Sequence, residues 1–550
     1  MDLLQFFVSC GLVPRQQQKE VLTKVQADWT KYKYIAINAP TGVGKTHIAL
    51  SIADNISQSY ILTGTKNLQA QYEDTSSKVV DIKGRNNYQC QINPIFAVDE
   101  APCLANKPLK GDCIRKGICD YYRQVGKARE AQITITNYSY FFAATSRGCA
   151  SDQDQDDPKW KCRPAIIMDE AHDLEKHLIS NAEIRLNFND LWKTFGIGSP
   201  DFRVSLDMDV NREHLETIVE EITKTMEEIS EKIEVTFKEG SWIQRGKPAE
   251  IPKSVNEKIK KMTSKNQILA DYKGKLVFYL ERSDFDLSPW VETVNEDDNS
   301  ILLSPLTAKD LFDKCLNHLG EKFVFLSATL PPATELCREL GLNLDEMLYI
   351  EVDTPFDPAK SPIHILEVAK MGYKDLEKSL PQIIDVVEKI LDMHPNEKGI
   401  VHTGNYRIAK AILEGVKKKT KTRLIARDVN EVKVNNTALL KMHYDSDEPT
   451  VLVSPSMTTG IDLKDDLARF QIIVKLPFPS LADPRIKRKS ELHGDWYLMQ
   501  MWVEILQSSG RSTRSDNDFS TSYILDSSFT YFFNKSKSKL PTWFKDRLQM

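Results

Sequence analysis

Short runs of apolar and β-branched residues recur along the chain, separated by stretches with helical periodicity. The first series falls at Tyr34–Asn38, Tyr60–Thr63, Ile133–Thr136, Ala165–Met168 and Phe323–Leu326. Strand signals spaced by helices predict parallel sheets with crossover helices. A second series runs through Gly399–His402, Arg423–Ala426, Val451–Val453, Phe470–Lys475 and Tyr523–Leu525, so two α/β domains are the economical reading. Between them, residues 183–300 change character: Asn211–Val235 carries a long charged helical period with little strand signal, as an inserted helical domain would. A solvated helical linker or coiled coil is the alternative. Residues 84–123 show few periodic runs and form a smaller insert. The expected division is a first domain from 1–83, 124–182 and 301–345, with the two inserts carried on it, and a second domain from 346–550.

Composition changes this picture little. A chain of 550 residues exceeds one hydrophobic core and suits three or four domains, and 41% hydrophobic with 27% charged residues is ordinary for a globular protein. The formal charge of −5 offers no global attraction to nucleic acid, so any such site must be a local basic lining. The apolar opening Leu3 to Val13 is too short to span a bilayer, and no basic residue precedes it. It reads as a packed N-terminal helix in a cytoplasmic protein without membrane contact.

Chemistry enters after the first strand, where Ala39-Pro40-Thr41-Gly42-Val43-Gly44-Lys45-Thr46 leads into an apparent helix, Ile48–Ile56. This is the strand, glycine-rich turn and helix of a P-loop, although Ala39 stands where the usual pattern has its first glycine. Gly42 and Gly44 let backbone N–H groups close on phosphates. Lys45 is expected to reach the β- and γ-phosphates of ATP, and Thr46 to ligate Mg²⁺. A glycine turn merely capping a helix is the bland alternative. The run Ala165 to Met168 ends in Asp169-Glu170-Ala171-His172. There Asp169 can hold Mg²⁺, and Glu170 can orient and deprotonate an attacking water.

Four of the nine cysteines, Cys90, Cys103, Cys113 and Cys119, lie within 30 residues, separated by 12, 9 and 5 others. Structural zinc sites usually bring two cysteines within two to four residues, which disfavours zinc without excluding it. Longer loops suit a cuboidal iron–sulfur cluster. Four buried free thiols are the remaining reading. Cys149 and Cys162 are near enough to be rival ligands and are taken as bystanders. Lys107, Lys110, Arg115 and Lys116 surround the insert with charge that suits a DNA backbone, or simply a solvated loop.

Together these segments resemble the XPD/DinG (Rad3-related) branch of superfamily 2 helicases, over nearly the whole span from Pro14 to about Asp526. Pro14-Arg15 with Gln18 is similar to that branch's adenine-side Q motif. Thr65, Leu68, Gln69 and Gln71 are similar to motif Ia, which touches DNA, and Ser327-Ala328-Thr329-Leu330 looks like motif III. Val401-His402 through Tyr406 resembles motif IV, and Thr459-Gly460-Ile461-Asp462 resembles motif V, which puts Gly460 and Asp462 beside the nucleotide. Gln507 through Arg514 resembles motif VI, which makes Gln507, Arg511 and Arg514 catalytic, the arginines as fingers toward the γ-phosphate. The lead-in Lys83 to Tyr88 resembles a DinG-like iron–sulfur domain, which implies a 4Fe-4S cluster on the four cysteines.

The resemblance implies two RecA-like domains with an iron–sulfur insert and an arch-like helical insert. It also implies an ATP-dependent DNA helicase moving 5′ to 3′ on single strands and opening forked or duplex DNA, as a monomer serving replication or repair in a bacterial or phage-infected cell. An RNA-acting or purely translocating DEAH ATPase is the alternative. A clamp that binds ATP only for shape has no need of Lys45, Glu170 and Arg511.

Overall fold

The computed structural model describes residues 2–104, 107–146, 160–205, 212–239, 243–244, 247–248, 253–282, 289–426, 436–455, 463, 465–510 and 518–550. The apolar runs form strands Tyr34–Asn38 (β1), Ser59–Thr63 (β2), Val79–Asp81 (β3), Ile133–Asn137 (β4) and Arg163–Asp169 (β5). The inserted region contributes Ile184–Asn187 (β6), Ile243–Gln244 (β7), Lys247–Pro248 (β8), Trp290–Asn295 (β9) and Ser300–Pro305 (β10), after which come Gly320–Ser327 (β11) and Met347–Glu351 (β12). The remainder holds Ile363–Ala369 (β13), Gly399–His402 (β14), Leu424–Ala426 (β15), Val451–Ser454 (β16), Phe470–Ile473 (β17), Thr521–Asp526 (β18) and Leu548–Gln549 (β19).

The chain forms two compact units. The unit made of Ile52–Val324 and Cys337–Glu346 contains β5, β2, β4 and β3 side by side, all paired in parallel. In the other unit, made of Met1–Ser51, Phe325–Leu336 and Met347–Met550, β12 pairs in parallel with β1. β11 contributes Gly320–Val324 to the first of these units and Phe325–Ser327 to the second. Burial of every residue of β1 and β2 explains their unbroken apolar character.

The second sheet has order β15-β16-β14-β17-β18-β13-β19, parallel throughout. Successive residues of a strand point to opposite faces. Ile472 therefore joins Val401, Val453 and the helices Leu376–Met393 and Tyr406–Gly415, whereas Ile473 joins Trp502, Ile505, Phe529 and Phe544 on the other side.

The inserted region is more than helical. Arg212–Glu239 and Lys253–Arg282 pack through Leu215, Ile218, Ile222, Ile229 and Ile233 against Leu269, Leu276 and Tyr279. They share that core with Ile184, Leu186, Ile301 and Leu303 from an antiparallel sheet of order β6-β10-β9. These strands are four to six residues long and hold at most three apolar residues in a row, Ile301 to Leu303, so they give little strand signal. Two expected boundaries shift as well. β10 begins at Ser300 and belongs with the insert's sheet, and β12 lies beyond residue 345 yet pairs with β1. The opening segment forms the helix Gln5–Ser9, burying Leu3, Phe6 and Phe7 and leaving Val8, Leu12 and Val13 exposed. Among the described residues no helix is long and apolar enough to cross a membrane.

β5 is anchored at its start by Arg163, which is almost wholly buried. Its guanidinium donates to the carbonyls of Ser59, Ala128 and Arg129 and to Thr134 Oγ1, and stacks 4.2 Å from the Tyr60 ring centre. Burial pulls its pKa down, partly offset by Tyr60. Arg163→Met keeps the aliphatic stem but strands several buried carbonyls, so thermal unfolding should register a loss on the order of 3 kcal/mol. An unchanged midpoint would mean that the guanidinium is dispensable.

Candidate active site and cysteine pocket

The turn after β1 is held from several sides. Ala39 N–H donates to the Ser327 carbonyl at 2.8 Å, and Asn38 Oδ1 accepts the Leu330 N–H at 3.1 Å, joining the loop to the Ser327–Leu330 segment. Gly42 and Gly44 have φ of +86° and +87°, a region open to glycine but strained for other residues. The helix Lys45–Asp54 then starts at once, three residues earlier than its apolar period suggests. Lys45 Nζ reaches back across the loop to the Ala39 carbonyl at 3.3 Å, and Thr46 is buried at the helix start.

Arg15 and Gln18 meet the same loop. Gln18 Oε1 accepts the Arg15 N–H at 2.8 Å, which starts the helix Gln16–Asp28, while its Nε2 donates to the Gly44 carbonyl at 3.4 Å. The Arg15 guanidinium donates to the Gly42 carbonyl. The helix Gly494–Ser509 supplies the other wall, with Gln507 Nε2 donating to Thr329 Oγ1 at 3.4 Å and Thr41 Oγ1 donating to the Gly510 carbonyl at 2.9 Å. A cleft of about 330 Å³ lies here, lined by Pro40, Thr41, Phe356, Gly510, Trp543 and Arg547. Arg511 and Arg514 follow Gly510 and lie outside the described residues, as do Gly460 and Asp462 with the rest of Thr459–Asp462.

Sequence reasoning missed Arg547. Buried, it donates to the carbonyls of Ser361 and Ser509, and burial pushes its pKa down to about 10. It thereby ties the end of the helix carrying Gln507 to the segment before β13. Nothing but its late position in the chain marked it.

In the other unit, β5 runs one residue further than its apolar core and ends in Asp169 itself. Both oxygens of that carboxylate are engaged: Oδ1 accepts the Glu170 N–H at 3.0 Å, and Oδ2 accepts the hydroxyl of Tyr72 at 2.9 Å. Tyr138 donates to the Asp169 carbonyl at 2.8 Å. Burial, reinforced by the Asp169 charge, pushes the pKa of both tyrosines well up, so both stay protonated donors. Glu170 adopts a left-handed backbone, φ +54°, a costly conformation that turns its side chain away from the strand's path. His172 bridges Glu170 and Asp173 at 3.3 Å to each. Burial opposes charge on Asp173, but hydrogen bonding and the His172 charge outweigh it and bring that carboxyl to about 2.

Cys90, Cys103, Cys113 and Cys119 line one cleft of about 250 Å³, completed by Ile92, Val98, Ala101 and Ile118. Local turns bring them there: Cys90 N–H donates to the Phe96 carbonyl at 2.9 Å. Gly117, with φ +60°, also lets Ile118 N–H return to the Cys113 carbonyl at 3.1 Å. Burial, then the neighbouring thiols, pushes Cys103 up to about 12 and Cys113 up to about 11. Among the described residues no three His, Cys, Asp or Glu side chains converge closely enough for a single metal ion. Cys162 is exposed and outside the cleft, and Cys149 lies outside the described residues. The basic residues nearby are less available than their sequence suggests, for Lys110 is buried and Arg115 and Lys116 share Asp112.

The chain is similar to known helicases. A family described as "Helicase C-terminal domain" matches residues 387–547, and one described as "Type III restriction enzyme, res subunit" matches 11–197. The chain is 23% identical to a probable ATP-dependent helicase of Methanocaldococcus jannaschii, over 94% of this chain and 92% of that protein. It is 20% identical to the ATP-dependent DNA helicase YoaA of Escherichia coli, over the same shares. A solved XPD helicase superposes with a TM-score of 0.62 at 17% identity, covering 95% of this chain and 98% of the other. The structure of S. tokodaii Xpd4 gives 0.55 at 16%, covering 98% and 100%. At that identity the superpositions speak for the fold, two parallel-sheet RecA-like domains.

The loop geometry makes its own demand. A side chain at Gly42 would collide with the Phe356 ring as well as strain the backbone. Gly42→Ala should therefore weaken binding of a fluorescent ATP analogue at least about tenfold. Unchanged affinity would contradict a phosphate-binding role for this turn.

Proposed function

We propose that this chain, a member of the XPD/DinG-like, Rad3-related branch of superfamily 2 helicases, moves along single-stranded DNA and separates forked or duplex DNA. It is an ATP-hydrolysing helicase. The observation that carries the reading of its site is the meeting of P-loop, Ser327–Leu330 segment and Gln507 helix through Thr41–Gly510 and Gln507–Thr329. That is the arrangement a motor needs if closing two domains is to complete an ATPase site.

In this reading the phosphates draw Lys45 off the Ala39 carbonyl, and the N–H groups around Gly42 and Gly44 close on them. Arg15 and Gln18 brace the loop on the adenine side. Mg²⁺, held by Thr46 and Asp169, would neutralise phosphate charge. Glu170 accepts a proton from the water that attacks the γ-phosphorus, and the β–γ bridging oxygen leaves with ADP. Arg511 and Arg514 serve as fingers on the charge that develops, with Gly460 and Asp462 beside the nucleotide.

A 4Fe-4S cluster on Cys90, Cys103, Cys113 and Cys119 is part of the proposal. Support comes from the four thiols lining one apolar-walled cleft. Such a cluster would supply a rigid crosslink for a segment with few apolar residues of its own. The DNA substrate is supported by the named activity of the E. coli relative, and 5′ to 3′ travel by family resemblance alone. A monomeric state and a role in repair or replication complete the reading. Single-stranded DNA should stimulate ATP hydrolysis more than RNA of equal length; the reverse order would favour the RNA-acting reading.

Glu170→Gln should still bind ATP yet hydrolyse it about 10² to 10⁴ times more slowly, whereas Lys45→Ala should lose binding. Near-normal turnover by Glu170→Gln would remove it from the base role. Anaerobically prepared Cys113→Ser should lose iron, sulfide and broad visible absorption, while Cys162→Ser keeps them. Stoichiometric zinc without iron in the unaltered protein would overturn the cluster.

A further inference from the structure

Tyr72 is a fully buried phenol on no recognised motif, and its hydroxyl ends on the carboxylate proposed to hold magnesium. It stands on the helix Lys66–Thr75, whose other end has a different character. Thr65 caps that end by accepting the Leu68 N–H at 3.4 Å, and Thr65, Lys66 and Asn67 are exposed. Lys66 Nζ donates to Asn87 Oδ1 at 2.7 Å, on the lead-in to the cysteine segment. One short helix of ten residues, about 15 Å long, therefore joins a solvent-facing polar and basic end to the Asp169 side chain.

The helix is held as a rigid lever. Gln69, buried beside Tyr72, donates to Asp81 Oδ1 at 3.0 Å and to the Ile82 carbonyl at 3.4 Å, so its buried face cannot slide without breaking these bonds. Asp169 has no slack either. Its Oδ1 accepts the Glu170 N–H, and its Oδ2 accepts the Tyr72 hydroxyl, so the phenol helps to set the carboxylate's rotation. A hydrogen bond from a neutral donor to a carboxylate in a buried site is strong and sensitive to small displacements.

We propose that Tyr72 is a positioning residue through which the helix Lys66–Thr75 communicates nucleic-acid contact at its exposed end to the orientation of Asp169. This deepens the reading given under Proposed function and rests on it. Coupling of this kind is reciprocal: DNA tightens magnesium–nucleotide binding by the factor by which magnesium–nucleotide tightens DNA binding.

The test uses the full chain with a non-hydrolysable fluorescent ATP analogue, single-stranded oligothymidylate and Mn²⁺ as a spin probe in place of Mg²⁺. In the unaltered protein, oligothymidylate should tighten analogue binding with the divalent ion by about fivefold or more. Tyr72→Phe, which keeps the ring and removes only the hydroxyl, should bring that factor to within about twofold of one and broaden the bound Mn²⁺ resonance. Analogue affinity without divalent ion should stay within about twofold, since the phosphate loop is untouched. Retained coupling in Tyr72→Phe, in a protein whose wild type couples, would overturn the role of Tyr72 alone. Loss of ion-free analogue binding in the variant would overturn it too, showing a general packing role. No coupling in the unaltered protein would instead overturn the DNA-driven reading on which the proposal rests.

Discussion

A strand buried on both faces can present chemistry only at its end. β1 and β2 are buried along their length and β5 and β11 over their last five residues, and each changes character where it stops. β1 gives way to Ala39 and the glycine turn, β2 to Thr65 and its helix, β5 to Asp169 and Glu170, and β11 to the Ser327–Leu330 segment. In parallel sheets those ends are the carboxyl edge, where ligands bind in open α/β folds. The polar groups there are bonded to one another, Ala39 to Ser327 and Leu330 to Asn38, because a buried backbone group left unpaired costs as much as a lost hydrogen bond.

The same constraint explains why nucleotide chemistry and mechanical parts are coupled. Gln507 and Gly510 sit at the end of a helix whose inner face, through Met501, Trp502 and Ile505, is locked into the core of the second sheet. A displacement of that sheet must carry Gln507 and Gly510 with it, and the helix end is tied down again by Arg547. The loop at Gly42 and Gly44 is thus read from one side by Arg15 and Gln18 and from the other by a helix rooted in a separate core. Rigid cores with polar ends suit a device that converts bound phosphate into movement.

How much was legible in the sequence follows from what each element had to bury. Tyr34–Asn38 and Val451–Val453 announced themselves because continuous burial forces continuous apolar character. β12 did not, since only three of its five residues are buried and it ends in Glu351, and β6, β9 and β10 are short strands with at most three apolar residues in a row. Motif residues near the chain's glycine turn and the Asp169–Glu170 pair could be named because their chemistry needs those residue types in that order. Tyr72 and Arg547 could not, for each is defined by a partner 97 or 38 residues away and by nothing in its own neighbourhood. The cysteines were countable in the sequence, but their common cleft depends on Gly117 and the Cys90–Phe96 turn.

The proposed coupling of ATP hydrolysis to strand separation weighs most on the whole account. Anaerobically purified protein should be given ATP and Mg²⁺ with otherwise identical duplexes bearing a single-stranded DNA tail at the 5′ or the 3′ end, with release of the labelled strand followed in time. The account predicts ATP-dependent release from the 5′-tailed duplex and little from the 3′-tailed one. ATP hydrolysis without release from either duplex would contradict it.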